Sequence, residues 1–65
     1  MKRFRPERLA ARRKMLGKTQ RALSAEARLS AVSISAIENG WKEPRAGTLA
    51  RLARALRCSV DYFYG

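Results

Sequence analysis

Histidine is absent from this 65-residue chain, cysteine occurs once, and acidic residues number only five. With no histidine and Cys58 as the one thiol, neither a zinc site nor a disulfide framework can be assembled. Cys58 falls within a pattern of apolar positions and reads as a packed, inert thiol, which suits a reducing compartment. No apolar run approaches the roughly 18 residues that cross a bilayer, so no membrane segment is predicted. The charged start MKRFRPER has no apolar stretch behind it, which argues against a secretory leader. A glycine-rich phosphate loop, a carboxylate pair and a nucleophile beside a base are all missing. The composition therefore points away from an enzyme and implies no cofactor.

What the chain has in excess is positive charge. Fifteen Lys and Arg against five Asp and Glu give a formal net charge of +10, and eleven of the fifteen are arginine. Such one-sided charge predicts a polyanionic partner. Hydrophobic residues make up 46%, much of it Ala and Leu, which favours a folded helical object over a disordered basic tail. The length allows one small domain with a modest core, spanning residues 1–65.

Punctuation and period divide the chain into short helices, and no alternating strand pattern, repeat or linker is present. Residues 1–5 read as a flexible basic arm. Arg5-Pro6 opens the first helix, since proline suits the first helical position, and Leu9, Arg12, Arg13 and Leu16 follow at helical spacing up to Gly17. Thr19 is placed to cap a second helix with Ala22, Leu23, Ala27 and Leu29 facing inward. Ser30 caps a third, from about Ala31 to Glu38, which Asn39-Gly40 ends. The loop WKEPR follows, and Pro44 holds Glu43 extended. Leu49, Leu52, Ala53 and Leu56 mark an amphipathic fourth helix with Arg51, Arg54 and Arg57 on its wetter side. Ser59 reads as the cap of a last short turn that offers Val60, Tyr62 and Phe63 to the core.

The third helix poses a question. Ile34 and Ile37 share one face, while Ala31, Val32 and Ala36 fall on another that has almost no hydrogen-bonding capacity. Small apolar groups turned outward from a strongly basic domain need a partner with an apolar landmark.

The stretch TQRALSAEARLSAVSISAIENG, residues 19–40, resembles the helix-turn-helix of the phage repressor and Cro family, also called XRE-like. The matching features are Thr19-Gln20, Leu23, Ala27, Ser30, Ile34, Ile37 and Glu38-Asn39-Gly40. The likeness extends to Leu9, Arg13 and Gly17 before it, and to Pro44, LARLARAL at 49–56 and CSVDYFYG after it. The resemblance implies an all-α, compact five-helix lambda-repressor-like domain with its helix-turn-helix at about residues 19–38. It further implies a transcriptional repressor that binds a pseudo-palindromic operator in double-stranded DNA as a homodimer, in a prokaryotic or phage-infected cytoplasm. In the family the second helix crosses the phosphate backbone and the third lies in the major groove.

By the same resemblance, Ala31, Val32 and Ala36 are the residues that reach base edges. Relatives often carry Gln, Asn, Ser or Arg at one or two of these positions. The apolar landmark of the major groove is the thymine methyl, so Val32 is read as a thymine contact, with Ala31 and Ala36 allowing close approach. Ser30, Ser33 and Ser35 are candidates for weaker contacts to bases or phosphates. Gln20, Asn39, Lys42 and Arg45 are the implied backbone contacts. Glu38 is implied to pair with Arg13, which still faces phosphate. Trp41 is read as covering the loop or sealing the edge of the core, with a contact to the DNA backbone or to a dimer partner as the alternative.

Two departures from the family stand out. Arg28 occupies a turn position where glycine is usual, and a side chain there is strained if φ is positive. The fourth helix begins at Arg45-Ala46-Gly47, without the usual Ser or Thr, so that end is expected to fray. Two other functional readings compete with an operator-binding repressor. One is a controller or antitoxin-type regulator of a restriction or toxin locus. The other is a protein-interaction module or nonspecific polyanion binder, in which Tyr62, Phe63 and Tyr64 form a contact face.

Overall fold

In the computed structural model, which describes residues 1–65, four α-helices precede one turn of 3-10 helix. They are α1 (Pro6–Met15), α2 (Gln20–Ala27), α3 (Ala31–Glu38) and α4 (Ala46–Ala55), with the 3-10 turn at Val60–Phe63. The five-helix expectation is thus corrected to four. The last element has four residues and Ser59 makes no side-chain cap, so it never builds a turn of α-helix.

Local chemistry accounts for the starts. Pro6 opens α1, where its missing N–H costs nothing, and Glu7 lies in the first turn. The Thr19 hydroxyl accepts from the Ala22 N–H at 3.0 Å, and the Ser30 hydroxyl accepts from the Ser33 N–H at 3.0 Å. Arg45 gives α4 no side-chain cap.

All four α-helices end by the same device. A residue with positive φ follows the last turn, and the next amide reaches back into the helix. Gly17 (φ 69) and Gly40 (φ 78) do this after α1 and α3, with Lys18 N–H donating to Arg13 O and Trp41 N–H to Ala36 O. After α2 and α4 the left-handed residue is an arginine: Arg28 (φ 58) and Arg57 (φ 55). Leu29 N–H donates to Ser24 O, and Cys58 N–H to Ala53 O. A Cβ in this region costs about 1–2 kcal/mol, so the strain expected at Arg28 has a second instance at Arg57.

Leu9, Leu23, Ala27, Ile34, Ile37, Leu49, Leu52, Ala53, Leu56 and Phe63 form one core. α2 packs on both α3 and α4, and α1 packs on α3 and the 3-10 turn. Several sequence expectations need adjustment. Ala22 is exposed and Ser24 is buried in its stead, its hydroxyl donating to Arg21 O at 2.7 Å. A two-turn helix rotated slightly can bury either neighbour of Leu23, and the serine satisfies itself locally. Of the last aromatic group only Phe63 is fully buried, while Val60 and Tyr62 stay at the surface. Trp41 seals nothing and is 79% exposed.

Residues 3–5 are tied down where a flexible arm was expected. Arg3 and Gly65 exchange backbone hydrogen bonds at 3.2 and 3.1 Å, and Arg5 N–H donates to Phe63 O at 2.7 Å. Phe4 is the reason: its ring lies edge-on to Phe63 and Tyr64, with centroids 6.4 and 5.9 Å apart.

Much of the basic charge is used inside the fold on carbonyls that helix ends leave unpaired. Arg12 donates through Nε to Leu56 O (2.9 Å) and through Nη2 to Arg57 O (3.0 Å), and its guanidinium lies 5.6 Å from the Tyr62 ring centroid. Lys18 donates to Ala55 O at 3.1 Å and pairs with Glu26. Arg51 donates to Ala27 O at 2.8 Å. Cations at helix C-termini also meet the negative end of the helix dipole.

Candidate nucleic-acid interface

α2 and α3 are joined by only three residues, Arg28 to Ser30, and the left-handed Arg28 makes the reversal possible. Ile34 and Ile37 anchor α3 from behind with essentially no exposed surface. Helical spacing then turns the other side outward. Ala31 and Val32 are exposed, Val32 by 79%, while Ser35 and Ala36 are half-buried one turn further along. Val32 is thus a surface residue that does not pack into the core.

The polar candidates divide by how free they are. Ser30 and Ser33 bond each other at 3.0 Å between hydroxyl oxygens, so both are partly committed to the start of α3. Asn39 folds back along α3, its Nδ2 donating to Ser35 O at 2.8 Å and to Ser35 Oγ at 3.3 Å. Lys42 and Arg45 are exposed on the loop after α3 and form no ion pair. Together with Ser33, Glu43, Pro44 and Thr48 they line a small cleft of about 190 Å³ against Leu29 and Ile37.

Behind this surface lies a buried polar knot. Arg13 meets Glu38 in a bidentate pair, Nε to Oε2 at 2.7 Å and Nη2 to Oε1 at 3.0 Å. Gln20 Nε2 donates to the same Oε1 at 3.0 Å, and Arg13 Nη1 donates to Lys18 O at 2.8 Å. Three segments are thereby fixed to the C-terminal end of α3. Arg13 is 8% exposed and each of its nitrogens holds one bond within the fold, which leaves two of the five guanidinium N–H groups for an outward contact. Gln20 keeps its backbone N–H at the start of α2, but its side chain points to Glu38. The Gln20–Glu38 bond joins residues 18 apart, and no local spacing signals it.

Burial by itself would raise the Glu38 carboxyl. Hydrogen bonds from Arg13 and Gln20, with the charges of Arg13 and Lys14, overcome this and hold it below its ordinary value. The Glu38 hydrogen bond raises Arg13 against its own desolvation. Burial pushes the Cys58 thiol up, and the charge of Arg12 only partly offsets that.

Four helices, a tight left-handed turn between the second and third, and an outward α3 face braced from behind define a helix-turn-helix protein. The family model described as Helix-turn-helix matches residues 9–63, and the chain belongs to that XRE-type family. It is 43% identical over 56 residues to the HTH-type transcriptional regulator DicA of Escherichia coli K12, covering 86% of this chain and 42% of DicA. It is 45% identical over 56 residues to the repressor protein C2 of Salmonella phage P22, covering 86% of this chain and 26% of that protein. The chain thus spans less than half the length of these curated relatives. Among solved structures, the P22 c2 repressor in complex with synthetic operator 9T superposes with a TM-score of 0.88 at 41% identity, over 94% of this chain and 92% of that one.

Proposed function

We propose that this domain binds double-stranded DNA sequence-specifically and serves as a transcriptional repressor, with α3 in the major groove. One observation carries the reading: a helix held rigidly from behind presents an exposed valine flanked by alanines, beside unpaired cations at Lys42 and Arg45. The P22 c2 repressor, whose fold it matches at 41% identity, has been solved on an operator. Val32 contacts a thymine methyl, and Ala31 and Ala36 let the helix approach closely enough for it. Lys42 and Arg45 neutralise phosphates, which gives affinity without sequence information. Ser30, Ser33 and Ser35 add weaker contacts, and the N–H groups at the start of α2, with Gln20, meet a phosphate. Asn39 contributes only after releasing Ser35. A homodimer on a pseudo-palindromic site, in a prokaryotic or phage-infected cytoplasm, completes the reading.

Selection of bound sequences from a random duplex library at about physiological salt tests it. Recovery of a two-fold motif with thymine at a fixed half-site position supports the proposal. No motif, with binding that falls alike for all sequences as salt rises, defeats it.

A further inference from the structure

The larger of the molecule's two clefts takes none of its lining from α3. An open cleft of about 420 Å³ between the end of α2 and the side of α4 is lined by Glu26, Arg28, Ala50, Arg51, Arg54 and Ala55. None of the residues assigned above to DNA lines it. Three guanidinium groups and one carboxylate supply its charge, and that carboxylate, Glu26, is already paired with Lys18. The lining therefore carries a net of two positive charges, and none of its three arginines is in an ion pair.

The arrangement is also partly fixed in advance. Arg51 and Arg54 stand one helical turn apart on α4, so they project to the same side. The Nε of Arg51 donates to Ala27 O, which ties that side chain to the residue beside Arg28. Arg28 holds a left-handed backbone that favours glycine, yet it supplies the third guanidinium. Ala50 and Ala55 line the same cleft with short side chains that leave the space open.

We propose that this cleft is a binding site for a small oligophosphate. Guanidinium groups bind phosphoryl oxygens in bidentate fashion, and three of them match an anion of two or three linked phosphates better than a single carboxylate. The volume falls within the range of about 300–1,000 Å³ usual for small-molecule sites. A bound oligophosphate bridges Arg28 to α4, and so clamps the turn that leads into Ser30 and α3. This inference stands apart from the DNA-binding reading, because no residue is shared between the two surfaces.

The test titrates inorganic triphosphate into the isotope-labelled protein at constant ionic strength and follows backbone amide and arginine side-chain resonances. Saturable shifts at Arg28, Arg51 and Arg54, with a raised melting temperature, are the expected result. Arg54→Gln and Arg28→Gly should each weaken binding about tenfold, since each removes one charge-assisted contact, while Lys42→Gln leaves it unchanged. Arg28→Gly serves as a control for folding, because it relieves backbone strain while removing a ligand. Shifts confined to α3 and residues 42–45 would overturn the site, as would an equal response from the Arg28→Gly/Arg54→Gln double variant. Displacement of triphosphate from the cleft by duplex DNA would overturn its assignment to a small anion. Loss of DNA binding in the selection experiment would leave all of these readings unaffected.

Discussion

Arg28 and Arg57 occupy the same place in two different helices: each follows the last turn with a left-handed backbone, at φ 58 and φ 55. Their counterparts after α1 and α3 are glycines, Gly17 and Gly40. One closing device is therefore built twice from the residue that suits it and twice from one that does not.

Replacing either arginine with glycine should stabilise the domain by about 1 kcal/mol, the strain relieved less the extra freedom glycine gives the unfolded chain. For a domain of this size that is a rise in melting temperature of about 4–8 °C. A thermal melt of Arg57→Gly is the cleaner check, because Arg57 does not line the cationic cleft. An unchanged or lower midpoint would count against strain at this position.

Glu38→Ala leaves the guanidinium of Arg13 buried without its partner. A loss of about 3–5 kcal/mol is expected, enough to leave a 65-residue domain largely unfolded. Replacing both partners with apolar residues, Arg13→Met with Glu38→Leu, should recover much of that loss. Denaturant unfolding of Arg13→Met, Glu38→Leu and the double variant measures the coupling, and additive losses would show that the pair does not act as a unit.

The lowered Glu38 carboxyl has a definite sign in pH. A group whose folded pKa lies below its unfolded value of about 4.5 contributes stability that is complete above that value and is lost as pH falls through the folded pKa. Melting temperature should therefore decline below about pH 4.5. Glu38→Gln, which cannot titrate, should start lower at neutral pH and lack that part of the decline. Parallel profiles for the two proteins would place the acid sensitivity elsewhere.

Arg12 joins the middle of α1 to two carbonyls just beyond α4, and lysine cannot reproduce that fork. Arg12→Lys should cost about 1–2 kcal/mol and speed hydrogen exchange at Arg57 and Cys58, leaving α2 and α3 protected. Uniform loss of protection throughout the domain would argue that this contact is not local.

Val32→Ala removes exposed surface from α3, so folding stability should stay within about 0.5 kcal/mol of the parent. Binding to the selected duplex should weaken several-fold, with the deficit confined to the thymine position. Lys42→Gln should instead weaken binding to every sequence and reduce the salt slope by about one. A Val32→Ala protein with unaltered base preference would remove Val32 from direct readout.

Residues whose roles depend on near neighbours in sequence were legible. Thr19 and Ser30 cap amides three positions away, and Leu49, Leu52 and Leu56 repeat at the helical period, so α2, α3 and α4 could be drawn from the residue order. What was hidden depends on distant partners. Phe4 sits in a basic stretch that reads as an arm, and only the aromatic group some sixty residues away draws residues 3–5 into place. Trp41 looked like a cover for the core, yet the Gly40 reversal carries it outward. On the α3 face the sequence indicated which side chains point out, but not that Asn39 would turn back onto Ser35.

The backbone exchange between Arg3 and Gly65 has a topological side. It brings these two positions next to each other, so the path from residue 3 to residue 65 is nearly a closed ring. A linker of a few residues would complete the circle, and new termini could then be opened in the surface loop between α3 and α4. Such a circular permutant keeps every core contact in place while changing the order in which the helices are joined. Connectivity and architecture are separable in this small domain.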